Sequence, residues 1–166
     1  MTEEELKKTR EDTHAHRREV LAFLMSVGME LLERGETHDE SKLHSPELEA
    51  FTRVRLELAE AEYGSDEYKA ALEALGPALD HHYKNNRHHP EHYADGVAGM
   101  DCLDLVEMMA DWIAASRRRE GSSPHLSLEY NIKRFNIDVD GQLASVLRNT
   151  LNRLLELERE AQEAEE

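Results

Sequence analysis

Apolar residues recur at the spacing of an α-helix along most of the chain. A long first helix is predicted over residues 3–34, from a capping-box start at Thr2 to the stop signal Gly35. Its apolar stripe begins at Val20, and four residues earlier lies His16, which we therefore expect on the buried face of this helix. The stripe comprises Val20, Phe23, Leu24, Val27 and Leu31.

Proline, glycine and serine divide the rest of the chain into further helices. The predicted segments are a helix that begins at Ser45, a short helix from Ser65 to Leu75, helices over 78–89, 100–119 and 127–136, and a final helix from Asp138 or Asp140. The final helix has the apolar stripe Leu143, Val146 or Leu147, Leu151, Leu154 and Leu157. The sequence therefore predicts an all-α fold, with one compact domain of about seven helices over 1–155 and an acidic tail over 156–166.

Charge and cysteine content exclude several classes of protein. Twenty Lys and Arg residues against 36 Asp and Glu residues give a net charge of −16, which repels nucleic-acid polymers and anionic membrane surfaces. The single cysteine, Cys102, allows neither an internal disulfide nor a cysteine-based zinc site, and it fits a reducing cytoplasm. The longest apolar run is too short to span a bilayer, and the acidic N-terminus is unlike a signal peptide. We expect a cytoplasmic protein that binds small molecules.

The first candidate for chemistry is the pair His38 and Asp39, with Lys42 one helical turn further on. An imidazole nitrogen and a carboxylate oxygen on one turn can bind the same divalent cation. Lys42, four residues after His38 and three after Asp39, is placed to hold an anionic group bound at that cation. The alternative interpretation is a capping aspartate beside a surface histidine.

The second candidate is a cluster of histidines. Five of the ten histidines lie between residues 81 and 92. In a helix, residues seven apart share a face, so His82 aligns with His89 and His81 aligns with His88. Crowding imidazoles together has no folding benefit, which favours a set of ligands over a solvated histidine-rich turn.

The third candidate is acidic. Asp104, Glu107 and Asp111 stand at positions i, i+3 and i+7 of the predicted helix 100–119, so they share one face. Such a stripe is usually solvated, but the neighbouring Met109 is predicted to be buried. Buried carboxylates require a cation or several hydrogen-bond donors, so this face is a further candidate for metal binding.

The order of these residues resembles the HD superfamily of metal-dependent phosphohydrolases. His38-Asp39-x-x-Lys42 is similar to the HDxxK form of its motif, and Met109-Ala110-Asp111-Trp112 is similar to the late helix that supplies its last ligand. His16 is similar to its first helix ligand. More narrowly, the motifs HDxSK, HHYxxNRHHPEHY and DLVEMxADWxAA resemble an uncharacterised family of bacterial and phage proteins over about residues 12–150.

The HD resemblance implies a compact HD-like helical fold and one or two divalent transition-metal ions: Mn, Fe, Co, Ni or Zn. It implies a first metal on His16, His38, Asp39 and Asp111. It implies a second metal on His82 and His89, with His81 and His88 as the substitutes. Asp39 is then the expected bridging ligand between the two ions.

The same resemblance implies roles around the metals. Lys42 would stabilise charge on the phosphoryl oxygens, and His88, when it does not bind metal, would protonate the leaving oxygen. Lys84 and Arg87 would hold further phosphate. Asn131 and Arg134, three residues apart on one predicted helix, are placed to read a base or a phosphate, although an ordinary amphipathic helix with outward polar residues is the favoured explanation.

The expected function is hydrolysis of a small nucleotide or related phosphoester by a metal-activated water. Two alternatives stay open: a di-iron oxygenase on the same fold, and a non-catalytic helical metal-binding protein. The expected partner is a small phosphorylated molecule. The long, partly apolar terminal helices are also compatible with a homodimer.

Overall fold

A computed structural model describes residues 1–60, 66, 70, 73–118 and 121–165. Over these residues the regular secondary structure consists of six α-helices and three 3-10 turns, which confirms the predicted all-α class. The predicted short helix from Ser65 to Leu75 lies largely outside the described residues. The contacts divide the chain into two units, Met1–His38 and Asp39–Glu166. The predicted single domain over 1–155 stays a prediction.

The first unit is a single helix, α1, over Glu3–Thr37. The predicted capping box is confirmed, because the Thr2 hydroxyl accepts from the Glu5 amide while the Glu5 carboxylate accepts from the Thr2 amide. The helix continues beyond the predicted stop at Gly35. No residue of α1 is buried, and His16 is exposed, where the sequence predicted a buried stripe. A unit of one helix has no second element of its own to cover an apolar face.

The second unit begins with a 3-10 turn over Glu40–Leu43 and contains five helices over its described residues. These are α2 over Glu47–Glu60, α3 over Gly76–Asn85, α4 over Cys102–Ser116, α5 over Pro124–Arg134 and α6 over Gln142–Glu165. Two further 3-10 turns, over Pro90–His92 and Gly96–Gly99, connect α3 with α4. Side-chain caps fix the starts of α4 and α5, with Asp101 accepting from two amides of α4 and Ser123 from the Leu126 amide.

The main core lies where α4, α5 and α6 pack together. Its buried residues are Met108, Met109, Trp112, Ile113, Leu128, Ile132, Ala144, Leu147 and Leu151. On α6 the predicted core positions Leu147 and Leu151 are confirmed, whereas Leu143 and Leu157 are exposed and Ala144 is buried instead. A smaller cluster around Val54 and Leu75 joins α2 to the start of α3.

The acidic C-terminal segment that the sequence predicted as a tail belongs to α6, which runs to Glu165. Ion pairs within and between helices accompany it, including a bidentate pair between Arg117 and Glu158. None of the helices over the described residues combines the length and the apolar composition that a membrane span requires.

The core assignment predicts how two apolar residues of α5 respond to truncation. Ile132 is 0% exposed, so Ile132→Ala should leave a cavity and lower the free energy of unfolding by about 2–5 kcal/mol. Leu126 is 61% exposed on the same helix, and Leu126→Ala should change it by less than about 0.5 kcal/mol. Urea denaturation of both variants measures this difference, and equal losses would contradict the packing of α5.

Candidate metal centre

Asp39 begins the second unit in an unusual backbone conformation. Its φ of 59° and ψ of 16° lie in the left-handed region, which aspartate tolerates better than most residues. The chain then enters the 3-10 turn Glu40–Leu43, where the Lys42 amide donates to the Asp39 carbonyl. This sharp turn brings the Asp39 carboxylate and the Lys42 ammonium together, with Oδ2 and Nζ 2.6 Å apart.

The histidine cluster is assembled by a chain reversal and not by a continuous helix. The sequence predicted one helix over residues 78–89, but α3 ends at Asn85, and Asn86 is extended. The Asn86 side-chain amide donates to the His82 carbonyl at 2.8 Å and so covers the open end of α3. His88 and His89 therefore reach the side of His82 through the turn after α3. The predicted pairing of His82 with His89 holds, although its predicted cause was wrong.

Four predicted residues of the second unit converge on one point. Asp39, His82, His88 and His89 each present one ligand atom, and all these atoms lie within 4.8 Å of one another. The Nε2 atoms of His82 and His89 are 2.8 Å apart. Asp39 Oδ1 lies 3.4 Å from His82 Nε2 and 3.6 Å from His88 Nε2.

These separations match the spacing of ligands around one cation. Donors about 2.1 Å from a first-row transition metal lie about 3.0 Å apart at right angles and about 3.4 Å apart at the tetrahedral angle. Both His82 and His88 are only 2% exposed. The cluster is thus closely packed, buried on the side of His82 and His88, and of suitable size for a single ion.

A glutamate stands behind each of the two most buried histidines. His82 Nδ1 lies 2.9 Å from Glu47 Oε2, and His88 Nδ1 lies 3.1 Å from Glu107 Oε1. A carboxylate accepts a hydrogen bond, so each contact favours a proton on Nδ1 and leaves the Nε2 lone pair directed at the cluster. Asn86 Nδ2 also lies 2.9 Å from His82 Nδ1, but it donates its protons to the Ser41 hydroxyl and the His82 carbonyl. Metal-binding histidines commonly show this arrangement, with the second ring nitrogen donating to a carboxylate.

Burial and nearby positive charge keep His82 and His89 neutral. The pKa of His89 falls to about 3, because burial and the neighbouring His88 and His82 oppose a positive charge there. Burial, followed by the charge of Lys42, also lowers the pKa of His82. Neutral imidazoles are the forms that bind metal, so the folded protein holds these side chains ready for a cation at neutral pH.

The three carboxylates on α4 have three different roles. Asp104, which is 0% exposed, accepts from the Tyr93 hydroxyl at 2.6 Å, from Arg87 Nε at 3.2 Å and from the Asp101 amide at 3.0 Å. It is therefore a structural group, stabilised by donors. Glu107 contacts His88, as above, and an Asp111 oxygen lies within 4.8 Å of an Asp39 oxygen. Of the three, Asp111 is the one placed to add a ligand atom beside Asp39.

Aromatic side chains and one ammonium border the cluster. The Phe51 ring packs edge-on against His82 at 5.9 Å between centroids, and the Lys42 ammonium lies 5.5 Å from the Phe51 centroid. On another side, Tyr83 packs against His89 at 5.0 Å. Burial, ahead of the nearby Glu91, raises the pKa of Tyr83, so its hydroxyl stays protonated and able to donate.

The other predicted residues lie in several environments. Arg87 contacts both Asp101 and Asp104. Arg134 contacts Glu91 at 2.7 Å, Lys84 is exposed, and the buried Asn131 donates to the Ser127 carbonyl of its own helix. His16 and His38 belong to the first unit, so their sharing of a metal with Asp39 and Asp111 stays a prediction. The substrate roles of Lys84, Arg87, Asn131 and Arg134 likewise stay predictions.

Sequence reasoning missed Glu47 and did not assign Glu107 to His88. Glu47 stands at the first position of α2, where an acidic residue is explained by the helix dipole alone. Ser41 and Asn86 were missed as well, although Asn86 Nδ2 donates to Ser41 Oγ at 2.7 Å and Ser41 Oγ donates to Glu47 at 3.0 Å. The role of Glu47 is visible only in the structure, where its carboxylate contacts His81 and His82, which lie 34 and 35 residues away in the sequence.

The low pKa of His89 predicts how the metal-free protein responds to acid. The unfolded chain binds a proton on His89 below its ordinary pKa of 6.5, whereas the folded protein does so only near 3. Across that interval the free energy of unfolding therefore falls as the pH falls, by up to about 1.4 kcal/mol per pH unit from this group. His89→Gln should lose about 1–2 kcal/mol less than the wild type between pH 7 and pH 5.

Urea denaturation of chelator-treated protein at the two pH values measures this difference. His14→Gln, which replaces an exposed histidine of α1, is the matched control and should follow the wild type. Parallel pH profiles for His89→Gln and the wild type would contradict the burial of a neutral His89.

Comparison with known proteins identifies a family. No curated protein and no solved structure matches the chain. The profile of a family of unknown function, DUF5662, matches residues 5–156, which include every residue of the histidine cluster. The predicted similarity to an uncharacterised family is confirmed. The resemblance to HD phosphohydrolases stays a prediction. The chain belongs to the family of unknown function DUF5662.

Proposed function

We propose that this protein is a metal-dependent phosphohydrolase for a small nucleotide or related phosphoester. The observation that carries the proposal is the convergence of Asp39, His82, His88 and His89, whose ligand atoms all lie within 4.8 Å of one another. Three imidazoles and one carboxylate suit the intermediate divalent metals, from manganese to zinc. The sequence suggested His88 as a proton donor, and we instead assign it to the proposed ligand set because its Nε2 lies 3.6 Å from Asp39 Oδ1.

The contact between His82 and His89 supports a cation in this position. Two ring nitrogens 2.8 Å apart require a shared proton or a shared cation, since two facing lone pairs repel. Glu47 favours the His82 proton on Nδ1, which leaves Nε2 without one. In the metal-free state the His89 Nε2–H group would then be the donor. Once that proton has left to solvent, His82 and His89 would both be able to hold a divalent cation through Nε2.

Lys42 supports a reaction at an anionic substrate. Its ammonium is 36% exposed and lies beside Asp39, so it can also contact a group that enters from solvent. In a protein of net charge −16, a local cation is needed to attract a phosphoryl group. We assign Lys42 to the phosphoryl oxygens, where it would stabilise the charge that develops in the transition state.

The side chains divide the remaining work. Asp39 and the three histidines hold and orient the ion, and the buried positions of His82 and His88 exclude bulk water from its inner side. Bound there, a divalent cation supplies a water molecule that ionises near neutral pH and can act as a nucleophile. The HD resemblance implies a further ion, on the set His16, His38, Asp39 and Asp111, and for that ion Asp111 would be a ligand beside Asp39.

Metal content tests the proposed centre. Asp39→Asn preserves the shape of the side chain and tolerates the left-handed backbone, but it removes the charge of the ligand. We expect at least a tenfold loss of metal affinity. Mutation of residues that only orient the ligands already lowers metal affinity about 10- to 100-fold, and Asp39 is a proposed ligand itself. The matched control is Asp140→Asn, an exposed aspartate outside the cluster, which should bind metal like the wild type.

Elemental analysis of untagged protein after dialysis against each candidate metal measures both affinity and stoichiometry. Wild-type metal content in Asp39→Asn would contradict the proposed centre. Tightly bound iron with visible charge-transfer absorption would favour the di-iron oxygenase. Bound metal without turnover of any phosphoester in a nucleotide panel would favour a non-catalytic metal-binding protein.

A lysine variant tests the phosphoryl role separately from metal binding. Lys42→Met should reduce kcat/KM for a phosphoester about 10- to 1000-fold, as the loss of one stabilising charge does elsewhere, while the metal content is retained. Lys42→Arg should recover part of this loss, since it restores the charge. Lys133→Met, an exposed lysine on α5, is the control. Unchanged kcat/KM in Lys42→Met would exclude this role for Lys42.

A further inference from the structure

We propose that Glu47 is a positioning residue that selects His82, and not the adjacent His81, as the metal ligand. The inference rests on the proposed metal centre and adds the group that controls its assembly. Glu47 touches neither the converging ligand atoms nor any substrate. It acts through His82, whose ring it holds from the side opposite the cluster.

The Glu47 carboxylate is completely buried, and three side chains are placed to donate hydrogen bonds to it. It is 0% exposed, and it contacts His81 Nδ1 at 2.7 Å, His82 Nδ1 at 2.9 Å and the Ser41 hydroxyl at 3.0 Å. Although burial raises the pKa of Glu47, the hydrogen bonds from His81, Ser41 and His82 lower it below its usual value. The first turn of α2 adds the favourable end of a helix dipole. Glu47 is therefore a stable anion and accepts from both rings.

The two oxygens of Glu47 bind two neighbouring histidines that must point in different directions. Consecutive residues of a helix are about 100° apart around its axis, so both rings cannot face the same point. Oε1 holds His81, whose side chain is 41% exposed, and Oε2 holds His82, whose side chain is 2% exposed. This two-sided contact fixes the rotation of α3 about its axis and turns only His82 toward Asp39 and His89.

An amide cannot reproduce this contact. The carboxylate offers an acceptor to each histidine, whereas glutamine offers one acceptor and one donor. With the donor facing His82, the proton of that ring would move to Nε2, the atom that should bind metal. With the donor facing His81, the contact to His82 survives but loses its charge. Glu47→Gln therefore changes the protonation preference and the strength of the contact with very little change of volume.

Glu107 is the natural comparison within the structure. It contacts Nδ1 of His88 as Glu47 contacts Nδ1 of His82, but its side chain is 13% exposed. Water can therefore replace part of what Glu107 provides, whereas the completely buried Glu47 has no such substitute. We accordingly expect the larger effect at Glu47.

Cobalt titration of the full-length, untagged protein tests the proposal. The probe is Co²⁺ alone, with affinity from competition with a chelator and ligand geometry from the visible absorption of the bound ion. Glu47→Gln should lower Co²⁺ affinity about 10- to 100-fold and alter the absorption bands. Glu49→Gln, an exposed glutamate on the same turn of α2, is the matched control and should leave both unchanged. His81→Asn should also retain affinity within about threefold of the wild type, since His81 is not the ligand.

A double-mutant cycle separates positioning from general damage. If Glu47 acts through His82, Glu47→Gln should have no further effect on residual Co²⁺ affinity once His82→Gln is present. Additive losses in the double variant would overturn the proposal, as would an equal loss of affinity in His81→Asn. If Glu47→Gln does not fold, Ser41→Ala removes one donor from the same carboxylate, and its effect should likewise vanish in the His82→Gln background.

The outcomes also distinguish this inference from the proposed function. Failure of the wild type to bind Co²⁺ would overturn the metal centre itself. Normal binding by the wild type together with unchanged affinity and spectrum in Glu47→Gln would overturn the role of Glu47 and leave the metal centre standing.

Discussion

The close approach of His82 to His89 is the constraint on which the rest of the cluster depends. Two imidazole nitrogens 2.8 Å apart in a partly buried contact are stable only with a proton or a cation between them. Glu47 favours the His82 proton on the opposite side of the ring, so His82 faces His89 as an acceptor. The Lys42–Asp39 pair and the donors around Glu47 balance the buried carboxylate charges.

The fold brings His82 and His89 together through a turn that is local in the sequence and through packing between distant helices. The turn after α3 brings His88 and His89 back to His82, and Asn86 stabilises it by donating to the His82 carbonyl. The packing of α2 against α3 then places Glu47 behind His82, and the contact of His88 with Glu107 attaches the turn to α4. Because α4 belongs to the main core, the packing of that core also stabilises the position of Glu107 and of the His88 ring that contacts it.

The sequence was informative about residue types and much less about their geometry. Helical periodicity predicted an all-α chain, but on α6 it identified Leu147 and Leu151 correctly while missing Ala144, because a small residue carries little hydrophobic signal. The histidine cluster was predictable from its density. The reversal after Asn85 was not, since nothing in the local pattern distinguishes a helix that ends there from one that continues to Pro90. The role of Glu47 could not be predicted from the sequence, because the residues that it contacts are distant from it along the chain.

Charge balance links metal loading to substrate binding. Without metal, the Asp39 carboxylate has the Lys42 ammonium as a counterion at 2.6 Å, and the pair is close to neutral. A divalent cation on Asp39 would raise the local charge by two units. This increase would offset part of the negative charge of the surrounding carboxylates, Glu47, Glu107 and Asp111. An anionic phosphoester would then meet less repulsion at this site than without the cation, and Lys42 would be able to turn toward it. On this argument the metal determines where in an otherwise repulsive surface a phosphoryl group can approach.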